Sequence, residues 1–448
     1  MSLPSRRAFL SDSLKSAIVA VGGLAWPSWM PRVAFGPPDR SPRGDTLVVI
    51  FLRGAHDGLN IIVPHAAPGA DQYYAKRPRI AIAQPDASNP ASVIDLDGQF
   101  GLNPVLRPLK EIWDEGQLGV VHAVGSPDPT HSHFDAMDYM ERGTPGEKQL
   151  QTGWLARHLQ TLANENHSPF RAVGMGSVVQ AALRGPVPAL ALESIAQFHL
   201  DPNRASSDIA RFQATVASMY QGSGFVEAQG TEVFEAMSIL DKVTAGGAYQ
   251  PANGAQYPNS AFGNALKTIA QLIKSDVGLE VACVDKGGWD THAGQGTTDP
   301  SQGNNTLPAL LNDLQAGLYA LYTDLADRMG NITVITMSEF GRRLADNASN
   351  GTDHGHGNVM FVMGGGVVGG KVHGDWPGLA PEKLYGPGDL AITTDFRDVL
   401  GEILKLRVGN HMLDQVFPNY TDYNFRGVVK PRQRPFRASL DGFMAAAR

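Results

Sequence analysis

The chain has 448 residues, 42% of them hydrophobic and 18% charged, with 50 glycines and 30 prolines. That is enough apolar material to core one large or two ordinary domains, interrupted by many turns. A net charge of −7 excludes the basic stripe that a nucleic-acid surface requires, and a single cysteine, Cys283, excludes an internal disulfide framework.

The first element is an export signal. Ser5-Arg6-Arg7-Ala8-Phe9-Leu10 has the twin-arginine pattern, and a short apolar stretch from Ala17 to Trp26 follows it, then a Pro-rich exit. The stretch contains Gly22 and Gly23 and is shorter than the roughly 20 apolar residues of a membrane span. Residues 1–36 are therefore predicted to be a cleaved twin-arginine signal peptide. The rest, 44–448, is predicted to be one domain, folded before export to the periplasm or beyond, with the Tat translocase as a transient partner.

Thr46 to Leu52 (TLVVIFL) is a continuous β-branched and apolar run, which predicts a strand buried on both faces. Asn103 to Trp113 has helical spacing, and Leu118 to Val124 reads as a second strand. A helix start is predicted after Pro129, continuing to Arg142. Gly153 to Ala163 reads as a helix and Pro188 to Leu192 as a short strand. Three helical stretches between about 206 and 274 read as an insertion or cap. Strands follow at Leu279–Val284, Ile332–Met337 and Val359–Met363, with helices at Leu307–Met329 and Phe396–Leu406. Buried strands alternating with helices predict an α/β fold, a mostly parallel sheet sandwiched between helices. Gly364-Gly365-Gly366 and Gly369-Gly370 follow a strand but lack a GxGxxG or Walker pattern, and read as tight turns.

In such sheets ligands bind beyond the carboxyl ends of the strands. Polar clusters stand at those places: His56-Asp57-Gly58, Thr130-His131-Ser132-His133, Asp290-Thr291-His292, Ser338-Glu339 and Asp353-His354-Gly355-His356. Each has a plain structural alternative. Asp57 suits a turn, Asp290 an N-cap, Glu339 an ion pair with Arg342 or Arg343, and His354 to His356 a polar loop. Together, imidazoles and carboxylates converging from separate loops suit a divalent metal. Zinc takes nitrogen and carboxylate donors, whereas manganese, magnesium and calcium take mostly oxygen.

The segments LVVIFLRGAHDGLNIIVP (48–64), HSHFDAMDYMERG (131–143), GWLARHL (153–159), GGWDTHAGQ (287–295), MSEFGRR (337–343) and GTDHGHGNVMFVMGGGVVGGKVHGDWPGL (351–379) resemble the Tat-exported domain-of-unknown-function 1501 family. That family is related to the alkaline-phosphatase-like superfamily of phosphatases, sulfatases and phosphoglycerate mutases. The resemblance implies an alkaline-phosphatase-like core and metal-dependent hydrolysis of phosphate or sulfate esters. It implies metal ligands at Asp57, Asp290, His292, Glu339, and His354 or His356, with Phe340 where a histidine ligand is expected beside Glu339. It implies a hydroxyl nucleophile at Thr130 or Ser132. A helix start there would present free N–H groups to an ester oxyanion. Arg53 and Arg342, with His133, are the candidate substrate-binding residues, since a guanidinium matches ester oxygens bidentately. The C/S-x-P-x-R sulfatase pattern occurs only as Ser2-Leu3-Pro4-Ser5-Arg6, inside the predicted signal peptide, and not in the predicted domain. A non-catalytic periplasmic binding or assembly factor, partnered by a second exported protein, is the alternative.

Overall fold

The structure, a computed structural model, describes residues 44–162, 166–195, 225–244 and 247–433. The predicted signal peptide and the 206–224 part of the predicted insertion lie outside them. The fold grows from Thr46–Leu52 (β1), whose seven residues are all buried. Its side chains alternate. Val48, Ile50 and Leu52 join one hydrophobic core, and Leu47, Val49 and Phe51 join a second core on the opposite face. This two-sided burial is why the run is continuously apolar. Each aliphatic side chain so removed from water contributes roughly 1.5–3 kcal/mol.

Eight further strands complete the sheet: β2 (Leu118–Gly125), β3 (Ala172–Met175), β4 (Leu190–Leu192), β5 (Val281–Lys286), β6 (Ile332–Met337), β7 (Asn358–Met363), β8 (Val372–His373) and β9 (Thr394–Asp395). The order is β8-β2-β7-β6-β1-β5-β3-β4, with β9 also beside β2. In register, β1 lies between β5 and β6, with Val49 opposite Cys283 on one side and Ile335 on the other. Every strand runs parallel to β1 except β7, which is antiparallel to both β6 and β2. The predicted mostly parallel α/β sandwich is the fold observed.

One face carries α1 (Leu109–Asp114), α5 (Ala261–Lys274) and α6 (Leu307–Asp324), and the other carries α3 (Trp154–Thr161) and α7 (Phe396–Ile403). α5 is capped by Ser260, which accepts from the Gly263 N–H, and buries Phe262, Leu266, Ile269 and Ile273 at helical spacing. This 261–274 end of the predicted insertion thus lies in the sandwich itself. Its companion, α4 (Phe225–Thr244), contributes Ala236, Ile239 and Leu240 to the same core. Among the described residues no helix is long and apolar enough to cross a membrane.

Two features gather the polar loops at one edge. α2 (His133–Arg142) starts beyond the carboxyl end of β2, with Ser132 as N-cap. A two-stranded ribbon, Arg342–Asp346 with Thr352–His354, pairs Arg342 with His354 and connects β6 to the returning β7. Because β7 is antiparallel, the ribbon leaves from and returns to the same edge of the sheet.

Candidate metal centre

Three side chains from three loops come together there. The Nε2 atoms of His133 and His354 lie 2.9 Å apart, and Asp290 reaches them at 3.5 and 3.4 Å. One ligand atom from each of the three lies within 4.8 Å of the others, the span of a single bound cation. His292 stands on the outer side, its Nε2 2.9 Å from that of His354 and 3.2 Å from Asp290.

Hydrogen bonds fix which ring nitrogens face inward. His133 Nδ1 meets the Glu339 carboxylate at 2.7 Å, and His354 Nδ1 meets the His131 carbonyl at 3.1 Å. Both partners only accept, so each Nδ1 carries the proton and each Nε2 lone pair points at the other. Two lone pairs at that distance repel unless a cation lies between them. The hydrogen bond to Glu339 raises the His133 pKa. His354 is pushed the other way, by burial first and then by the Arg342 charge. Carboxylate–histidine and carbonyl–histidine pairs of this kind orient metal ligands. The donor set therefore fits a divalent cation.

Arg342 holds the third ligand. Its fully buried guanidinium donates to Asp290 at 2.6 Å and to the carbonyls of Gly54, Ala55, Trp289 and Thr352. Burial raises the Asp290 pKa, but Arg342 outweighs it and holds the carboxyl below its ordinary value. Gly54 is required at this turn. Its φ is +120°, and a Cβ there would lie 2.6 Å from the Asp290 nitrogen.

The predicted site residues divide accordingly. Asp290 and His354 come together as expected, with His292 beside them. His133, predicted to bind substrate, is the third member of the cluster. Glu339 stands one step behind the cluster. Its carboxylate accepts from His133, Gly54 N–H and Ser338 Oγ. Burial pushes its pKa up, yet these hydrogen bonds hold it low. Asp57 does not join, because its Oδ2 is taken by Arg77 at 2.6 Å and Gln295 at 2.7 Å inside the core. His356 does not join either. Its ring stacks on Tyr385 at 4.2 Å, and burial lowers its pKa to about 4. Phe340, where a histidine ligand was expected, packs against His133 and His354 at 4.9 and 5.0 Å and walls the cluster.

Neither predicted substrate arginine is free for substrate. Arg342 is consumed by the Asp290 clamp. Arg53 pairs with Glu141 at 3.1 Å and Asp285 at 2.9 Å, tying β1 and β5 to α2. Thr130 and Ser132 lie in the loop that leads into His133. Thr130 Oγ1 accepts from the Ser132 N–H, and Ser132 Oγ accepts from the Asp135 N–H. Each hydroxyl keeps its proton to donate. The cluster is open to solvent on one side, with the Asp290 and His292 side chains 47% and 43% exposed. Sequence reasoning missed the role of His133 and the contributions of His131, Arg77 and Gln295. The His-Ser-His spacing was the only local signal for the first two.

No curated protein matches the chain. Solved structures similar to it include a protein in the alkaline phosphatase superfamily from Vibrio parahaemolyticus (12% identity, 79% of this chain and 69% of that one, TM-score 0.32). Others are the lipoteichoic acid synthase LtaP from Listeria monocytogenes (8%, 77% and 71%, 0.30) and the PsFucS1 sulfatase from Pseudoalteromonas sp. (11%, 98% and 78%, 0.34). Residues 113–407 match the model of the family described as protein of unknown function (DUF1501), and the chain belongs to that family.

Proposed function

We propose that the protein is an exported, metal-dependent hydrolase of phosphate or sulfate esters. The observation that carries this reading is the convergence of His133 Nε2, His354 Nε2 and the Asp290 carboxylate, with both imidazoles locked by acceptors behind them. Two imidazoles and one carboxylate with an open side suit a catalytic zinc more than magnesium or calcium, which take oxygen donors. Such a metal supplies Lewis acidity, polarising an ester oxygen and lowering the pKa of a neighbouring hydroxyl.

The protein's own residues would do the rest. His133, His354 and Asp290 hold the ion, and Glu339, the His131 carbonyl and Arg342 hold those three in place. Ser132 or Thr130 presents the nucleophilic hydroxyl. The start of α2 behind them offers N–H groups and partial positive charge to an ester oxyanion. The net reaction is ester plus water to acid plus alcohol. Export rests on the Arg6-Arg7 pattern and the apolar stretch after it.

The test is metal content of the purified mature protein beside an Asp290→Ala/His354→Ala variant, followed by assays with aryl phosphates and aryl sulfates. Stoichiometric metal in the parent only, with ester hydrolysis, is expected. A parent that stays metal-free after incubation with zinc, manganese, magnesium or calcium refutes the reading. Metal without hydrolysis would favour a binding or assembly factor that kept the fold.

A further inference from the structure

A third imidazole stands at the rim of the cluster, and the proposed chemistry has not used it. His292 Nε2 lies 2.9 Å from His354 Nε2 and 3.2 Å from the Asp290 carboxylate. His133 Nε2 keeps nearly the same separations, 2.9 and 3.5 Å, from the same two residues. The two rings differ in what supports them. His133 packs on Phe340 at 4.9 Å and has the buried Glu339 carboxylate behind it. The His292 side chain is 43% exposed, and among the described residues its one ring partner is His354, at 4.6 Å. An exposed ring changes rotamer freely unless hydrogen bonds hold it.

Here they come through Asn347, in the turn between Arg342–Asp346 and Thr352–His354. Asn347 Nδ2 donates to the His292 carbonyl at 2.9 Å and to Asp353 Oδ1 at 3.1 Å. Asp353 Oδ1 in turn faces His292 Nδ1 at 3.5 Å. A carboxylate in that place favours the proton on Nδ1 and leaves the Nε2 lone pair for the cluster. One amide thus holds both the main chain of His292 and the group behind its ring. The backbone repeats the attachment. Gly294 and Gln295 N–H donate to the carbonyls of Ser349 and Asn350, and Thr352 N–H to that of Thr291, at 2.8 to 3.2 Å. The other end of the amide has a separate task. Asn347 Oδ1 accepts from the Ser349 and Gly351 N–H groups at 2.9 and 3.1 Å and closes the turn. Donors on one side and acceptors on the other fix which end is oxygen.

We propose that Asn347 is a positioning residue of the metal centre, setting His292 as a further donor to the ion through the His292 carbonyl and Asp353. The inference rests on the metal-centre reading and adds to it a residue that does not itself touch the ion. An ester oxygen would then enter as a fifth donor, an expansion that catalytic zinc undergoes.

The experiment uses full-length mature protein loaded with zinc or with cobalt(II), whose visible spectrum reports the donors around it. Metal uptake by the parent is measured first, and a parent that takes up neither ion overturns this inference and the metal-centre reading together. In loaded protein, His292→Ala is expected to shift the cobalt spectrum as water replaces an imidazole. Asn347→Asp is the decisive variant. It keeps the shape of the side chain and the acceptor that closes the turn, but loses the donor to His292 and Asp353. A loss of about 10- to 100-fold in zinc affinity by chelator competition is expected, with the cobalt spectrum displaced towards that of His292→Ala. The added negative charge by itself would strengthen cation binding, so it cannot be the source of that loss. Asp353→Ala, a change at an exposed side chain, should keep the parental melting transition and weaken zinc about tenfold. Zinc affinity within about twofold of the parent in both Asn347→Asp and Asp353→Ala, with an unmoved cobalt spectrum, overturns the positioning role and leaves the metal centre standing. A parental cobalt spectrum in His292→Ala also overturns it, because His292 is then no donor.

Discussion

Replacing Glu339 with Gln distinguishes a ligand from a residue that orients one. Gln has the same shape and can still accept from the Gly54 N–H, but it loses the charge that faces His133 Nδ1 at 2.7 Å. Removing such an outer partner costs about 10- to 100-fold in metal affinity, or roughly 1.4–2.7 kcal/mol. Loss of a direct ligand would be far larger, as expected for His354→Ala. A fold cost accompanies the change, because Glu339 is buried and accepts from three neighbours. Charge-assisted bonds of this sort are each worth about 1.5–3 kcal/mol. The assay is zinc affinity by chelator competition at pH 7.5, with thermal melting alongside. Zinc affinity that matches the parent would refute the orienting role. Affinity as poor as that of His354→Ala would show that Glu339 itself binds the ion.

Asp57→Ala should lower stability by about 3–5 kcal/mol, because it strands Arg77 in the core, while zinc stoichiometry stays at the parental value; a loss of zinc in folded protein would return Asp57 to the ligand set. Gly54→Ala should weaken zinc binding as well as stability, since the new Cβ meets the Asp290 backbone 2.6 Å away at a φ of +120°; parental zinc affinity would contradict the tight turn. Acid should destabilise the fold through buried neutral histidines. Burial lowers the pKa of His122 to about 4 and that of His158 to about 3. Above pH 6.5 both are neutral folded or unfolded. As pH falls from 6.5 towards 4 the unfolded chain takes up protons that the folded one refuses, and stability drops by up to roughly 3 kcal/mol for His122. Urea midpoints between pH 7.5 and 4.5 check this, and a slope unchanged by His122→Gln would refute it.

The fold was readable because its signals are local. TLVVIFL is apolar at every position after Thr46, since β1 is covered on both faces, and that follows from consecutive residues. β6 and the first four residues of β5 were readable for the same reason, and the start of α2 from its local capping residue. The direction of β7 was not readable, because an apolar run looks alike in either direction and only the ribbon before it turns the chain back. The site divides along the same line. Polar loops at strand ends could be located from the order of elements, and Asp290 and His354 stand in two of them. Which groups converge was decided by contacts between distant segments. Arg77 claims Asp57, and Gly54 with His133 claims Glu339 across more than 200 residues of chain. Arg342 and Arg343 are neighbours in sequence, but alternation along the ribbon buries one against Asp290 and leaves the other beside Asp389. A strand's two-residue period can be read from sequence, but which face meets the site is set only when the sheet closes around it.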